Sequence, residues 1–110
     1  MQLYMIELAV TNWPLSVAWY CDQLRLRVTL RDDANQFALL ESEGGRLALK
    51  VGTPQVGGVK QHIQVNDLSR EMERLGLASE TKTSPEGYRR VLLYDPDGYA
   101  IVLFEWLNRV

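Results

Sequence analysis

A turn followed by a strand can be read in Tyr94-Asp-Pro-Asp-Gly-Tyr-Ala-Ile-Val-Leu-Phe-Glu-Trp106. Pro96 fixes φ near about −65° and Gly98 tolerates a positive φ, so residues 95–98 are predicted to form the turn. The uncharged run from Ala100 to Phe104 is rich in aliphatic and β-prone residues, which is typical of a buried strand. With Arg89 to Leu93 as its first arm, the stretch predicts a β-hairpin.

A weaker copy of this hairpin sequence occurs earlier in the chain. Residues 41–50, Glu-Ser-Glu-Gly-Gly-Arg-Leu-Ala-Leu-Lys, align without a gap on residues 95–104, with acid on acid and glycine on glycine. A second match aligns residues 10–20 with residues 65–75. Self-similarity at a fixed spacing is typical of a repeated unit. The sequence therefore predicts a single domain, residues 1–110, built from two modules of about 1–52 and 58–107 that a Gly/Pro linker joins.

Each module is predicted to fold in the order β-α-β-β-β. Asn12 and Asp67 are expected to cap the two helices, and Gly76 is expected to end the second one. The strands predicted in the first module cover residues 3–10, 27–31, 36–40 and 46–51. Those predicted in the second module cover residues 59–65, 78–81, 88–93 and 100–105.

Composition restricts the classes of function. The chain has 110 residues, 46% hydrophobic and 24% charged, which is ordinary for one globular domain. Its net charge of −2, without a basic stripe, argues against nucleic acid as a partner. No apolar run is long enough to span a membrane, and the N-terminus does not resemble a signal peptide. Cys21 is the only cysteine, and we expect a cytoplasmic protein.

Three motifs carry a resemblance to a known superfamily. They are Ser16-Val-Ala-Trp-Tyr20, Val65-Asn-Asp-Leu68 and Asp95-Pro-Asp-Gly98, and their order and spacing are informative together. The chain resembles the glyoxalase, bleomycin-resistance and ring-cleaving dioxygenase proteins, the vicinal oxygen chelate superfamily. The resemblance implies an α+β fold in which two tandem βαβββ modules form a curled mixed sheet with a cleft. It also implies a homodimer.

The resemblance further implies four positions for the ligands of a divalent metal. Counting from the motifs places them at Met5, Ala48, Lys60 and Val102. None of these side chains is a usual ligand for a hard cation, which prefers carboxylate, imidazole or water. His62 lies two residues past one position, and with Glu7 alone it makes an incomplete site. We therefore expect no metal and no other cofactor.

Strand alternation assigns residues to the two sides of the sheets. Side chains on the side away from the helices are mixed apolar and polar, as is typical of a small-molecule pocket. The third and seventh strands add further candidates for the rim or wall, of uncertain register: Phe37, Tyr88, Arg89, Arg90 and Tyr94. Trp106 is interpreted either as a lid on the cleft or as a dimer contact. The predicted ligand-binding residues are Met5, Glu7, Ala48, Lys50, Lys60, His62, Gln64, Val102, Phe104 and Trp106.

Three functions remain open at this point. The first is a metal-independent protein, similar to antibiotic-resistance proteins of the bleomycin type, that sequesters an aromatic or cationic small molecule. The alternative is a glyoxalase-like lyase, isomerase or dioxygenase with a non-standard site around Glu7 and His62. These two side chains would act as a proton-transfer pair or form a plain ion pair. The third is a protein-interaction role for Trp19 and Trp106.

Overall fold

The computed structural model describes residues 1–107 as two helices and eight strands, with a short 3-10 turn at Val56–Gly58. The first half contains β1 (Ile6–Val10), α1 (Trp13–Gln23), β2 (Arg27–Asp32), β3 (Phe37–Glu41) and β4 (Arg46–Val51). The second half contains β5 (Lys60–Gln64), α2 (Leu68–Leu75), β6 (Lys82–Thr83), β7 (Tyr88–Tyr94) and β8 (Ala100–Trp106). The predicted βαβββ order is therefore present twice.

The strands form two four-stranded sheets of the same topology. The first sheet has the order β1-β4-β3-β2 and the second has the order β5-β8-β7-β6. In each sheet the first and last strands of the module pair in parallel, and the other neighbours pair antiparallel. The predicted α+β class with mixed sheets is confirmed. Contacts divide the chain into two units, residues 1–58 with 95–98, and residues 59–94 with those from Tyr99 onward.

Both helices begin where their caps predict. Asn12 accepts a hydrogen bond from the Leu15 N–H at 3.2 Å, and Asp67 accepts one from the Arg70 N–H at 3.1 Å. Gly76 ends α2 with a φ of 69°, in the left-handed region that a glycine enters without a steric cost. These signals lie in the local sequence, so the sequence predicts them well.

The core of the first unit lies between α1 and one side of its sheet. Trp13, Val17 and Tyr20 are buried on the inner face of α1, as their helical spacing predicts. The indole N–H of Trp13 donates to the Leu49 carbonyl at 3.0 Å. This hydrogen bond satisfies the one polar group of a large buried ring. Burial of the ring's apolar area therefore stabilises the unit without leaving an unpaired N–H group in the core.

The Asp-Pro-Asp-Gly turn adopts the predicted conformation, with Gly98 at a φ of 94°. The turn packs in the first unit, where Tyr20 Oη donates to Asp95 Oδ2 at 2.6 Å. The Thr11 N–H approaches both carboxylate oxygens of Asp97 at 3.3 Å. The turn therefore serves packing against α1 as well as chain reversal.

Two predictions about strands are wrong. Residues 78–81 do not form a strand, and β6 contains only Lys82 and Thr83, because Ala78, Ser79 and Glu80 are exposed and have weak β propensity. The ungapped match of residues 41–50 to 95–104 is also incorrect at its start. Glu41 pairs with Arg46 at the end of a strand, whereas Asp95 lies inside the longer turn between Tyr94 and Ala100.

Candidate functional site

The strand registers place the predicted site residues at equivalent positions in the two sheets. Glu7 lies beside Ala48 in the first sheet, and His62 lies beside Val102 in the second. In the second sheet Gln64 also lies beside Phe104, and Lys60 lies beside Ala100. Residues paired in register share a side of the sheet, so the predicted alternation is correct in both modules.

Two contacts identify the side of the second sheet that faces α2. An Arg89 nitrogen donates to Ser69 Oγ at 2.9 Å, and the Leu68 N–H donates to Glu105 Oε2 at 3.3 Å. Arg89 therefore faces α2, and its proposed role as a wall residue is wrong. The opposite side of the sheet, here called the open face, carries Lys60, His62, Gln64, Lys82, Tyr88, Arg90, Leu92, Tyr94, Ala100, Val102, Phe104 and Trp106.

Three half-buried aromatic rings contact one another on the open face. Tyr88 lies directly opposite Trp106 in the β7–β8 register, with ring centroids 5.6 Å apart and planes at 87°. Phe104 lies 5.0 Å from Tyr88 and 5.4 Å from Trp106. Such edge and tilted contacts hold rings in fixed positions while part of each π surface stays accessible. Trp106 thus packs inside the second unit, within an aromatic cluster.

The polar groups around the aromatic cluster are mostly exposed. The His62 ring lies 6.2 Å from Phe104, and Lys60 and Gln64 extend from the same edge strand. On the other flank, Arg90 lies between Phe104 of β8 and Lys82 of β6. The sequence prediction does not include Lys82, because it places the strand at residues 78–81, and the two residues of β6 form a strand only through their pairing with β7.

The predicted site residues of the first module lie on the corresponding side of the first sheet. Glu7 is exposed on β1, while Met5 precedes that strand. The Lys50 ammonium donates to the Asn35 carbonyl. The structure describes Glu7 and His62 in separate units, so their pairing across the modules stays a prediction.

The residues at the four counted metal positions do not fit a divalent cation. Ala48 and Val102 are aliphatic and at most 1% exposed, so neither supplies a donor atom. Met5 offers a soft thioether and Lys60 an ammonium, and hard cations select neither. Within residues 1–107, no group of three or more His, Cys, Asp or Glu side chains is arranged to hold a metal.

A recess of about 290 Å³ lies elsewhere, between the start of β2 and the β3–β4 turn. One of its cations already has partners: Arg46 Nε lies 3.1 Å from Glu41 Oε1, and the Arg46 guanidinium lies 4.3 Å from the Tyr4 ring centroid. The residues that line the recess are all charged, polar or glycine, whereas small-molecule sites are lined mainly by apolar and aromatic side chains. We therefore favour the open face as the site.

Two further side chains singled out by the sequence belong to α1. Burial, and next the neighbouring Asp22 carboxylate, raise the pKa of the Cys21 thiol, which disfavours a nucleophilic thiolate. Trp19 is half-buried and packs edge-on against Tyr20 with centroids 5.0 Å apart. Neither residue lies on the open face. Among the described residues, no helix has the length and apolar character needed to cross a membrane.

Solved structures share this arrangement of modules along nearly the whole chain. A glyoxalase/bleomycin resistance protein/dioxygenase superfamily member from Sphaerobacter thermophilus superposes with a TM-score of 0.78 at 18% identity, covering 96% of this chain and 97% of that chain. A glyoxalase/bleomycin resistance protein/dioxygenase from Nocardioides gives 0.75 at 18% identity, covering 100% and 86%. The chain has the glyoxalase/bleomycin-resistance fold.

The same fold occurs in a lactoylglutathione lyase from Agrobacterium tumefaciens, with a TM-score of 0.73 and 16% identity over 94% of this chain and 92% of that one. Comparison with protein-family models gives no match, and neither does comparison with curated protein sequences. Identities this low establish the glyoxalase/bleomycin-resistance fold and leave the activity to the residues of the site.

Proposed function

We propose that the protein binds a planar aromatic small molecule on the open face, without a metal. The observation that carries this proposal is the cluster of Tyr88, Phe104 and Trp106, whose centroids lie 5.0 to 5.6 Å apart. Clustered rings with accessible surface recognise another ring by offset or edge contact, each such contact being worth about 0.5–1.5 kcal/mol beyond burial.

The surroundings of the cluster support a binding site over a purely structural role. The rings lie on the side of the sheet opposite α2, so they do not pack against that helix. Lys60, His62 and Gln64 extend from β5 on the same side, and all three are exposed. Apolar surface with a few polar groups at its edge is the usual composition of a small-molecule site.

Calorimetric titration with naphthalene-2-methanol tests this function, because the compound presents a planar ring without charge. We expect saturable binding that is unchanged by a chelator, and we expect Phe104→Ala to weaken it at least fivefold by removing the central ring. Trp19→Phe, on α1, is the matched aromatic control and should leave the affinity unchanged. Absence of binding, or equal losses in both variants, would reject the proposal.

The predicted homodimer forms a second part of the proposal. Leu3, Tyr4 and Ile6 are exposed large apolar side chains close together in sequence, which favours their burial against another protein surface. Light scattering coupled to size exclusion measures the mass of the assembly. A mass of about twice the 12.6 kDa chain is expected, and a monomer at micromolar concentration would contradict this part alone.

A further inference from the structure

We infer that the aromatic ligand of the open face carries an anionic group, which Arg90 and Lys82 bind. This inference rests on the proposed function, since it specifies the charge of a compound whose ring the aromatic cluster contacts. Its starting point is an unfavourable arrangement in the protein itself. Lys82 and Arg90 lie directly opposite each other in the antiparallel β6–β7 register, on the same side of the sheet.

Directly opposed residues in antiparallel strands bring their Cβ atoms to about 4.5–5.5 Å, and like charges at that spacing destabilise the sheet. Arg90 is half-buried and Lys82 is exposed. Within residues 1–107, neither side chain takes part in a hydrogen bond or ion pair. The two positive charges are therefore uncompensated by the part of the chain that the structure describes.

The open face holds no acidic residue among its described strand residues, although Lys60 adds a third cation to it. The nearest carboxylates along the strands serve other partners: Glu105 lies 2.6 Å from Arg89 on the α2 side. A cationic ligand would meet only like charge on this face. An anionic ligand would neutralise the positive charge that the described residues leave uncompensated on this face.

The register also brings the cations next to the rings. Arg90 lies directly opposite Phe104, and Lys82 follows on the next strand, so the order across the sheet is ring, guanidinium, ammonium. A planar compound lying against Phe104 would direct a substituent on its rim toward Arg90. The planar guanidinium fork binds a carboxylate with two parallel hydrogen bonds, which selects a planar anion over a spherical one.

Three naphthalene compounds of one size test the sign of the charge by calorimetry: 2-naphthoate, neutral naphthalene-2-methanol and 2-naphthylmethylammonium. We expect 2-naphthoate to bind roughly tenfold more tightly than the neutral compound, and the ammonium compound to bind most weakly. Added salt should reduce the preference for 2-naphthoate and leave the neutral compound unaffected.

Variants locate the preference on the face. Arg90→Met should abolish the advantage of 2-naphthoate over naphthalene-2-methanol, Lys82→Met should reduce the advantage, and Arg90→Lys should retain part of it. Arg70→Met removes the same charge from an exposed position on α2 and should change nothing. Circular dichroism confirms that each variant is folded.

The outcomes separate the inference from the proposed function. Equal affinities for 2-naphthoate and the neutral compound would overturn the anionic ligand and leave aromatic binding standing. Loss of the preference in Arg70→Met would overturn it as well, since the effect would then reflect net charge. Failure of all three compounds to bind would overturn the proposed function together with this inference.

Discussion

The two modules share a framework and differ in what their sheets present on the side away from the helices. On the first sheet two cations have partners: Arg46 is paired with Glu41 at 3.1 Å, and Lys50 donates to the Asn35 carbonyl. On the second sheet Arg90 and Lys82 oppose each other, and three aromatic rings lie beside them. Two modules with the same strand order therefore present different chemical groups on the side of the sheet away from the helices.

The helices also differ, and here the first module has the larger share of buried side chains. The inner face of α1, an eleven-residue helix, buries Trp13, Val17 and Tyr20. α2 has eight residues, and of these only Leu68 is fully buried. Burial of large side chains is the main source of stabilisation, so most of the stability should reside in the first unit. The predictions below test this division, beginning with the largest effect.

Tyr20→Phe should lower the free energy of unfolding by about 1.5–3 kcal/mol, the range for a buried hydrogen bond to a charged group. The substitution keeps the ring and leaves Asp95 Oδ2 without the phenol that now donates to it at 2.6 Å. Urea denaturation measures the change. Tyr94→Phe is the control, because its side chain is 58% exposed, and a loss there as large as in Tyr20→Phe would contradict the division.

The sequence predicts those features of the fold that depend on neighbouring residues. Asn12, Asp67 and Gly76 determine helix ends through bonds within one turn of the chain, and the structure confirms all three. Alternation correctly places Glu7 and Leu8 on opposite sides of the first sheet, and His62 and Ile63 on opposite sides of the second. Successive side chains of a strand point to opposite sides whichever residues the neighbouring strand pairs with them.

Features that depend on pairing between distant segments were less predictable. Arg89 and Arg90 are alike in sequence, and contacts with distant residues, Ser69 on α2 and Glu105 on β8, show that Arg89 is the one that faces the helix. The short β6 exists through pairing with β7 and has little intrinsic propensity, so its residues and the role of Lys82 were missed. The function of Glu7 with His62 depends on geometry across the modules and stays a prediction.

Gly76→Ala should cost about 1–2 kcal/mol, the usual penalty for an L-residue in the left-handed region. The change tests whether the end of the shorter α2 depends on glycine. No neighbouring atom lies within 4 Å of the added Cβ, so backbone strain from the positive φ would be the source of any loss of stability. Gly44→Ala, in the β3–β4 turn, is the control: it also meets no atom within 4 Å and has no positive φ. Thermal unfolding should show a loss for Gly76→Ala only.

Exchanging the charge patterns of the two sheets should have opposite effects on stability. Glu41→Lys removes the ion pair with Arg46 and places a third cation between Arg27 and Arg46, which both lie opposite position 41. It should destabilise the protein by about 0.2–1 kcal/mol. Lys82→Glu creates an opposite-charge pair with Arg90 and should stabilise by a similar amount. Denaturation at low and high salt measures both changes, and effects of the same sign would show that the registers do not control them.

The smallest effect concerns the connection between β2 and β3. The Asn35 side-chain amide donates to Asp32 Oδ2 at 2.8 Å, and its backbone N–H donates to Asp32 Oδ1 at 3.1 Å. These hydrogen bonds hold the pKa of Asp32 below its ordinary value, the side-chain bond first.

A carboxylate with a lowered pKa in the folded protein contributes stability above its unfolded pKa, and this contribution is lost as the pH falls through the folded pKa. The connection from Ser84 to Gly87 has no such aspartate, so acid should loosen the first turn and spare the second. Asn35→Ala should raise the pKa of Asp32 in a carbon-13 carboxylate titration, since the amide donor to the charged form is gone. Asn66→Ala, an exposed asparagine in the second module, should leave that pKa unchanged, and an equal rise in both variants would mean that the local turn does not set it.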